Sequence, residues 1–120
     1  MRPLIERWMN ELTPVAGVLA VGVQLADKSA VSRSWSDLFA EGALESAWRG
    51  VADVFPVLKL HRLPAGRLRW IYEQALLYCE RREDGLWLGV FTTRDPQAVD
   101  MEGVARILEK FHQLEATPET

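Results

Sequence analysis

The chain is 120 residues long, 48% hydrophobic and 26% charged, with a formal net charge of −3. That length suits one domain and that balance suits a packed core rather than a disordered chain. The acidic total excludes a global basic field that would draw the protein to nucleic acid or to anionic membrane. A single cysteine, Cys79, allows no internal disulfide and points to a reducing cytoplasm. No signal peptide is legible. The most apolar run, Val15 to Ala26, falls short of the roughly 20 residues a spanning helix needs. The expectation is one cytoplasmic domain over residues 1–120, with 115–120 as a frayed tail.

Residues Leu4, Ile5, Trp8 and Leu12 recur at helical spacing, with Pro3 in the first turn and Thr13-Pro14 as the stop. From Val15 to Leu25 the period becomes two. Gly17, Leu19, Val21, Val23 and Leu25 alternate with Ala16, Val18, Ala20, Gly22 and Gln24. A strand apolar on both faces belongs in the middle of a covered sheet. A turn near Asp27-Lys28-Ser29 leads into a shorter, more polar strand, Ala30 to Trp35, read as an edge. Ser36 or Asp37 then caps a second helix carrying Leu44, Trp48, Val51 and Phe55, ended or kinked by Pro56.

Three strands follow. Arg67 to Gln74 sets Leu68, Trp70 and Tyr72 against Arg67, Arg69, Ile71 and Glu73. Ala75 to Glu83 is the second. Asp84-Gly85 signals a hairpin whose two central positions take positive φ. Leu86 to Thr92, apolar on both faces, pairs with the first strand at the sheet centre. A last helix from near Asp100 carries Val104, Ile107, Leu108, Phe111 and Leu114 on one side.

The order is therefore α-β-β-α-β-β-β-α. With Val15-Ala-Gly-Val-Leu-Ala-Val-Gly22 as first strand, a long helix around Trp48 and the hairpin Cys79 to Gly89, the chain resembles the roadblock/dynein-light-chain family, which has a profilin-like fold. The resemblance covers nearly the whole chain. The glycine-free first turn and Pro56 depart from the family pattern. It implies an α+β fold: a five-stranded antiparallel sheet with one helix on one face and two on the other. It also implies a homodimer, with third strands paired edge to edge and second helices packed together, serving as an adaptor or as a regulator of a small GTPase.

No catalytic constellation is visible. Gly17 and Gly22 lack the lysine of a phosphate loop. His61 and His112 share no metal-ligand spacing, and Cys79 lacks a Cys-x-x-Cys partner and reads as a buried, inert thiol. The expectation is a non-enzyme without cofactor or metal. Between Val54 and Tyr72 there is no acid, against Lys59, Arg62, Arg67 and Arg69. That stretch, beside Trp70 and Tyr72, reads as a charge-guarded edge strand ahead of a nucleic-acid platform. Of five tryptophans, Trp8, Trp48 and Trp87 fit core stripes, while Trp35 and Trp70 fall on edge strands, where tryptophan suits an interface. The candidate protein interface is Trp48, Val51, Phe55, Arg67, Arg69, Trp70, Ile71 and Tyr72. A secretion-chaperone-like dimer and a profilin-like small-molecule sensor are the alternatives.

Overall fold

The computed structural model describes residues 2–25, 27, 29–36, 41–52, 67–71, 75–82 and 84–114. The elements are α1 (Arg2–Glu11), β1 (Val18–Gln24), β2 (Ala30–Ser34), α2 (Glu41–Ala52), β3 (Arg67–Ile71), β4 (Leu76–Arg81), β5 (Trp87–Thr92) and α3 (Met101–Gln113). A single 3₁₀ turn, Pro96–Ala98, precedes α3. The fold is α+β. Strands β2, β1, β5 and β4 form an antiparallel sheet in that order, and β3 pairs antiparallel with β4 beyond it.

The two doubly apolar strands, β1 and β5, are neighbours at the centre. Period-two alternation divides their side chains between two buried clusters. Val21, Val23, Leu88 and Val90 pack with Ile5, Trp8 and Met9 of α1 and with Val104, Ile107 and Phe111 of α3. Trp8 stacks on Phe111 with ring centroids 6.5 Å apart. Ala20, Trp87 and Phe91 pack instead with Leu77, Cys79 and the α2 residues Leu44 and Trp48. The buried amide of Gln24 is satisfied by the Trp87 indole N–H, which donates to its Oε1 from the paired position on β5.

Two local expectations are corrected. The first strand begins at Val18 rather than Val15, because Gly17 takes φ +83° and Val18 N–H closes a turn onto Val15 O at 3.0 Å. The alternation also slips: Val18 joins the cluster of Val21, and Leu19 packs with that of Ala20. The β1–β5 register shifts between Val18 and Ala20, so a bulge reverses the faces expected for those two residues. At the β4–β5 hairpin, Arg82 N–H donates to Leu86 O at 2.7 Å, so three residues separate the closing pair instead of two. Gly85, at φ +90°, supplies the positive φ, and the Asp84 carboxylate accepts from Leu86 N–H at 3.2 Å.

α3 starts next to Asp100, where the last helix is expected to begin. Asp100 Oδ1 accepts from Gly103 N–H at 3.1 Å and caps the helix. The cap expected at Asp37, the stop expected near Phe55 and Pro56, residues 72–74 and the tail 115–120 lie outside the described residues.

Candidate protein-interaction surface

α2 is seated on the sheet by one side chain. Gly22 and Gly89 face each other across the β1–β5 ladder, and the Trp48 indole lies over both. A Cβ on Gly22 would stand 2.6 Å from Trp48 Cε2, and one on Gly89 would stand 2.9 Å from Cη2. Only glycine lets the ring approach so closely. Trp87 meets the same indole edge-on at 5.6 Å and Phe91 meets it tilted at 5.4 Å. With Trp48 turned inward, the opposite side of α2 presents Ser46, Arg49 and Gly50 to solvent. A Cβ on Gly50 would meet nothing within 4 Å.

β3 is laid out by its register with β4. Leu68 and Trp70 pair with Cys79 and Leu77, which belong to the cluster beneath α2. Arg67, Arg69 and Ile71 pair with Glu80, Tyr78 and Leu76.

Of the residues expected at the interface, Trp48 is only 3% exposed and belongs to the chain's own core. Its side chain is corrected from a contact with a partner to the anchor of α2. Val51 lies in the last turn of α2, and Arg67, Arg69, Trp70 and Ile71 form β3. Phe55 and Tyr72, and with them His61 and the stretch 53–66, lie outside the described residues. Trp35 is half-buried beside the α1–α3 cluster, beneath the Arg33 guanidinium at 5.1 Å. Cys79 is fully buried, and burial pushes its thiol up to about 12.

One cluster escaped the sequence reading. Buried Glu80 holds His112 of α3, Oε2 to Nε2, at 3.3 Å. Arg82 donates to the Phe111 carbonyl and to Asp84 Oδ2, both at 2.7 Å, with its guanidinium 5.3 Å above the Phe111 ring. A groove of about 490 Å³ opens there, lined by Arg81, Arg82, Asp84 and His112. Arg82 reaches Asp84 and the carbonyl end of α3, and His112 of α3 reaches Glu80, so these contacts fasten the hairpin to the helix. No local spacing could reveal partners 29 and 32 residues apart. Among the described residues no group of three or more His, Cys, Asp or Glu could hold a metal ion. None of the described helices is long and apolar enough to cross a membrane.

The fold is roadblock-like. Among solved structures, the chain is similar to MglB from Myxococcus xanthus, with 16% identity over 96% of this chain and 93% of that one and a TM-score of 0.58. MglC from Myxococcus xanthus is also similar, at 19% identity over 93% and 92% of the two chains, with a TM-score of 0.47. No protein-family model matches the chain. No curated protein matches it.

Proposed function

We propose that the protein is a non-enzymatic, homodimeric roadblock-like adaptor or regulator whose partner is a small GTPase. In this reading the whole chain forms a five-stranded sheet with one helix on one face and two on the other. Two copies join through β3, with their α2 helices alongside. The observation that carries the reading is the open edge of β3, which has a partner strand on one side only among the described residues. Separately, α2 turns Ser46 and Gly50 outward with room for close approach. Main-chain bonds between edges would fix register, and desolvated aromatic side chains would supply most of the affinity. The likeness to MglB supports the fold on which this rests. The GTPase follows from the family resemblance of the sequence.

Sedimentation equilibrium of the wild type and of Ile71→Pro tests the dimer. Proline removes a backbone donor from β3 and cannot propagate a strand pair. The expected result is a drop in weight-average mass with an unchanged circular dichroism spectrum. A folded variant with the wild-type mass would refute the β3 interface. Calorimetric titration with small GTPases loaded with GDP or with a GTP analogue addresses the partner, and failure to bind either form would remove it.

A further inference from the structure

β2 ends the sheet opposite β3, and the two edges are built differently. β3 carries Arg67 and Arg69 within five residues. β2, Ala-Val-Ser-Arg-Ser, carries only Arg33. Edges that must stay single are guarded by basic side chains, prolines, bulges, or a charge that pairing would bury. β2 has no proline, and its ladder with β1 runs from Ala30 to Ser34 without a register shift. Arg33 is not a free guard either. Its Nη1 donates to the carbonyls of Met9, Asn10 and Leu12 at 3.1, 3.0 and 2.6 Å, holding the C-terminal end of α1. A strand arriving at β2 would therefore bury no unpartnered charge.

The backbone shows which groups are offered. Trp35 N–H donates to Leu19 O and Leu25 N–H donates to Ser29 O, both at 2.8 Å. Hydrogen-bonded pairs alternate along an antiparallel ladder, so Val31 and Arg33 share that inward pattern. Ala30, Ser32 and Ser34 then direct their N–H and C=O groups away from β1. Beyond them, Ser34 Oγ donates to Ser36 O and accepts from Ser36 N–H, bending the chain off the edge.

We propose that this edge docks the β2 strand of a second copy of this chain, antiparallel, about a two-fold axis at Ser32. In the full-overlap register Ser32 faces its own counterpart and Ala30 faces Ser34. Every outward-bonding position is small and uncharged, so no like charges oppose one another across the axis. That self-complementarity is what selects a second copy. The contact lies at the end of the sheet away from β3, and copies joined at both edges assemble beyond a dimer.

Ser32→Cys under mild oxidation reads the axis directly, since facing residues of a hydrogen-bonded pair lie about 5.5 Å apart, within disulfide reach. Cys79, buried, stays silent. Exposed Gln97→Cys is the control. The expected result is a covalent dimer forming about tenfold or more faster in S32C than in Q97C, since the paired thiols are held in place. The rate should persist in the Ile71→Pro background. Equal rates overturn the proposal. Independently, Ser32→Pro removes an outward N–H while sparing the β1 ladder. It should reduce the wild-type assembly to a dimer, and to a monomer together with Ile71→Pro. A folded S32P protein sedimenting as the wild type overturns the proposal. Should S32P not fold, Ser32→Lys reads the same loss through charge repulsion. Failure of Ile71→Pro alone bears only on β3.

Discussion

Replacing Gly89 by alanine tests the seating of α2. The new Cβ would stand 2.9 Å from Trp48 Cη2 and 3.3 Å from Leu77 Cδ1. Trp48 Cζ3 would lie closer still; carbon atoms prefer about 3.5–4.0 Å, so ring or strand must yield by roughly 1 Å or more. The indole has little freedom to do so. It is buried, with Trp87 and Phe91 against it, and both are nearly inaccessible themselves. Overpacking of this kind costs about 1–3 kcal/mol. Alanine in place of glycine within a strand returns roughly 0.5–1 kcal/mol of backbone entropy. The net expectation is a loss of about 1–2 kcal/mol, read as a lower urea midpoint at unchanged slope. Trp48→Leu alone should also destabilise, by cavity formation. Combined with Gly89→Ala it should cost less than the sum, because the added methyl then fills space the ring vacated. Gly89→Ala within about 0.5 kcal/mol of wild type, or strict additivity in the double variant, would refute the contact.

Arg33→Met should cost about 1–3 kcal/mol and loosen α1 first, since it strips the carbonyls of Met9 and Asn10 in α1, and of Leu12 just beyond it, of a charged donor. Hydrogen exchange localised to Arg2–Glu11 is the check. Cys79 makes a pH prediction with a definite sign. Its thiol ionises near 9.0 in the unfolded chain and only near about 12 when folded, so the folded state disfavours the thiolate. The resulting stability is present below pH 9 and is lost as pH rises from there toward 12, by at most about 1.4 kcal/mol per pH unit. Cys79→Ala should flatten the alkaline limb in pH-dependent denaturation. In the native wild type at pH 8, a thiol reagent should react only as fast as the protein opens.

The elements legible in the sequence were those whose signal is local and repeated. β1 and β5 announce themselves as central because both faces of each are apolar, and the structure sets them side by side. α3 is legible from Asp100 and the stripe Val104, Ile107, Phe111. Legibility fails where one residue changes meaning. Gly17 read as one more small residue in an alternating run, whereas its positive φ starts the strand later. Leu19 broke the alternation through a bulge that hydrophobicity alone does not encode. The position of Trp48 in the sequence suits both core and interface, and only burial separates those roles.

The candidate surface was less legible than the fold, for a physical reason. A buried strand is specified by its own residues, but an edge is specified by what its charges are doing elsewhere. Arg33 looks from sequence like an ordinary edge guard. It is the distant end of α1, 21 to 24 residues earlier, that takes its donors and changes what β2 can accept. Glu80 is similar, a buried charged residue that His112 of α3 meets across 32 residues of sequence. Polar residues at the margins of this sheet therefore take their roles from tertiary partners. The two ends of the sheet, chemically alike as strings of alternating residues, are different as surfaces: one carries two arginine positions, and the other has its one charge already engaged.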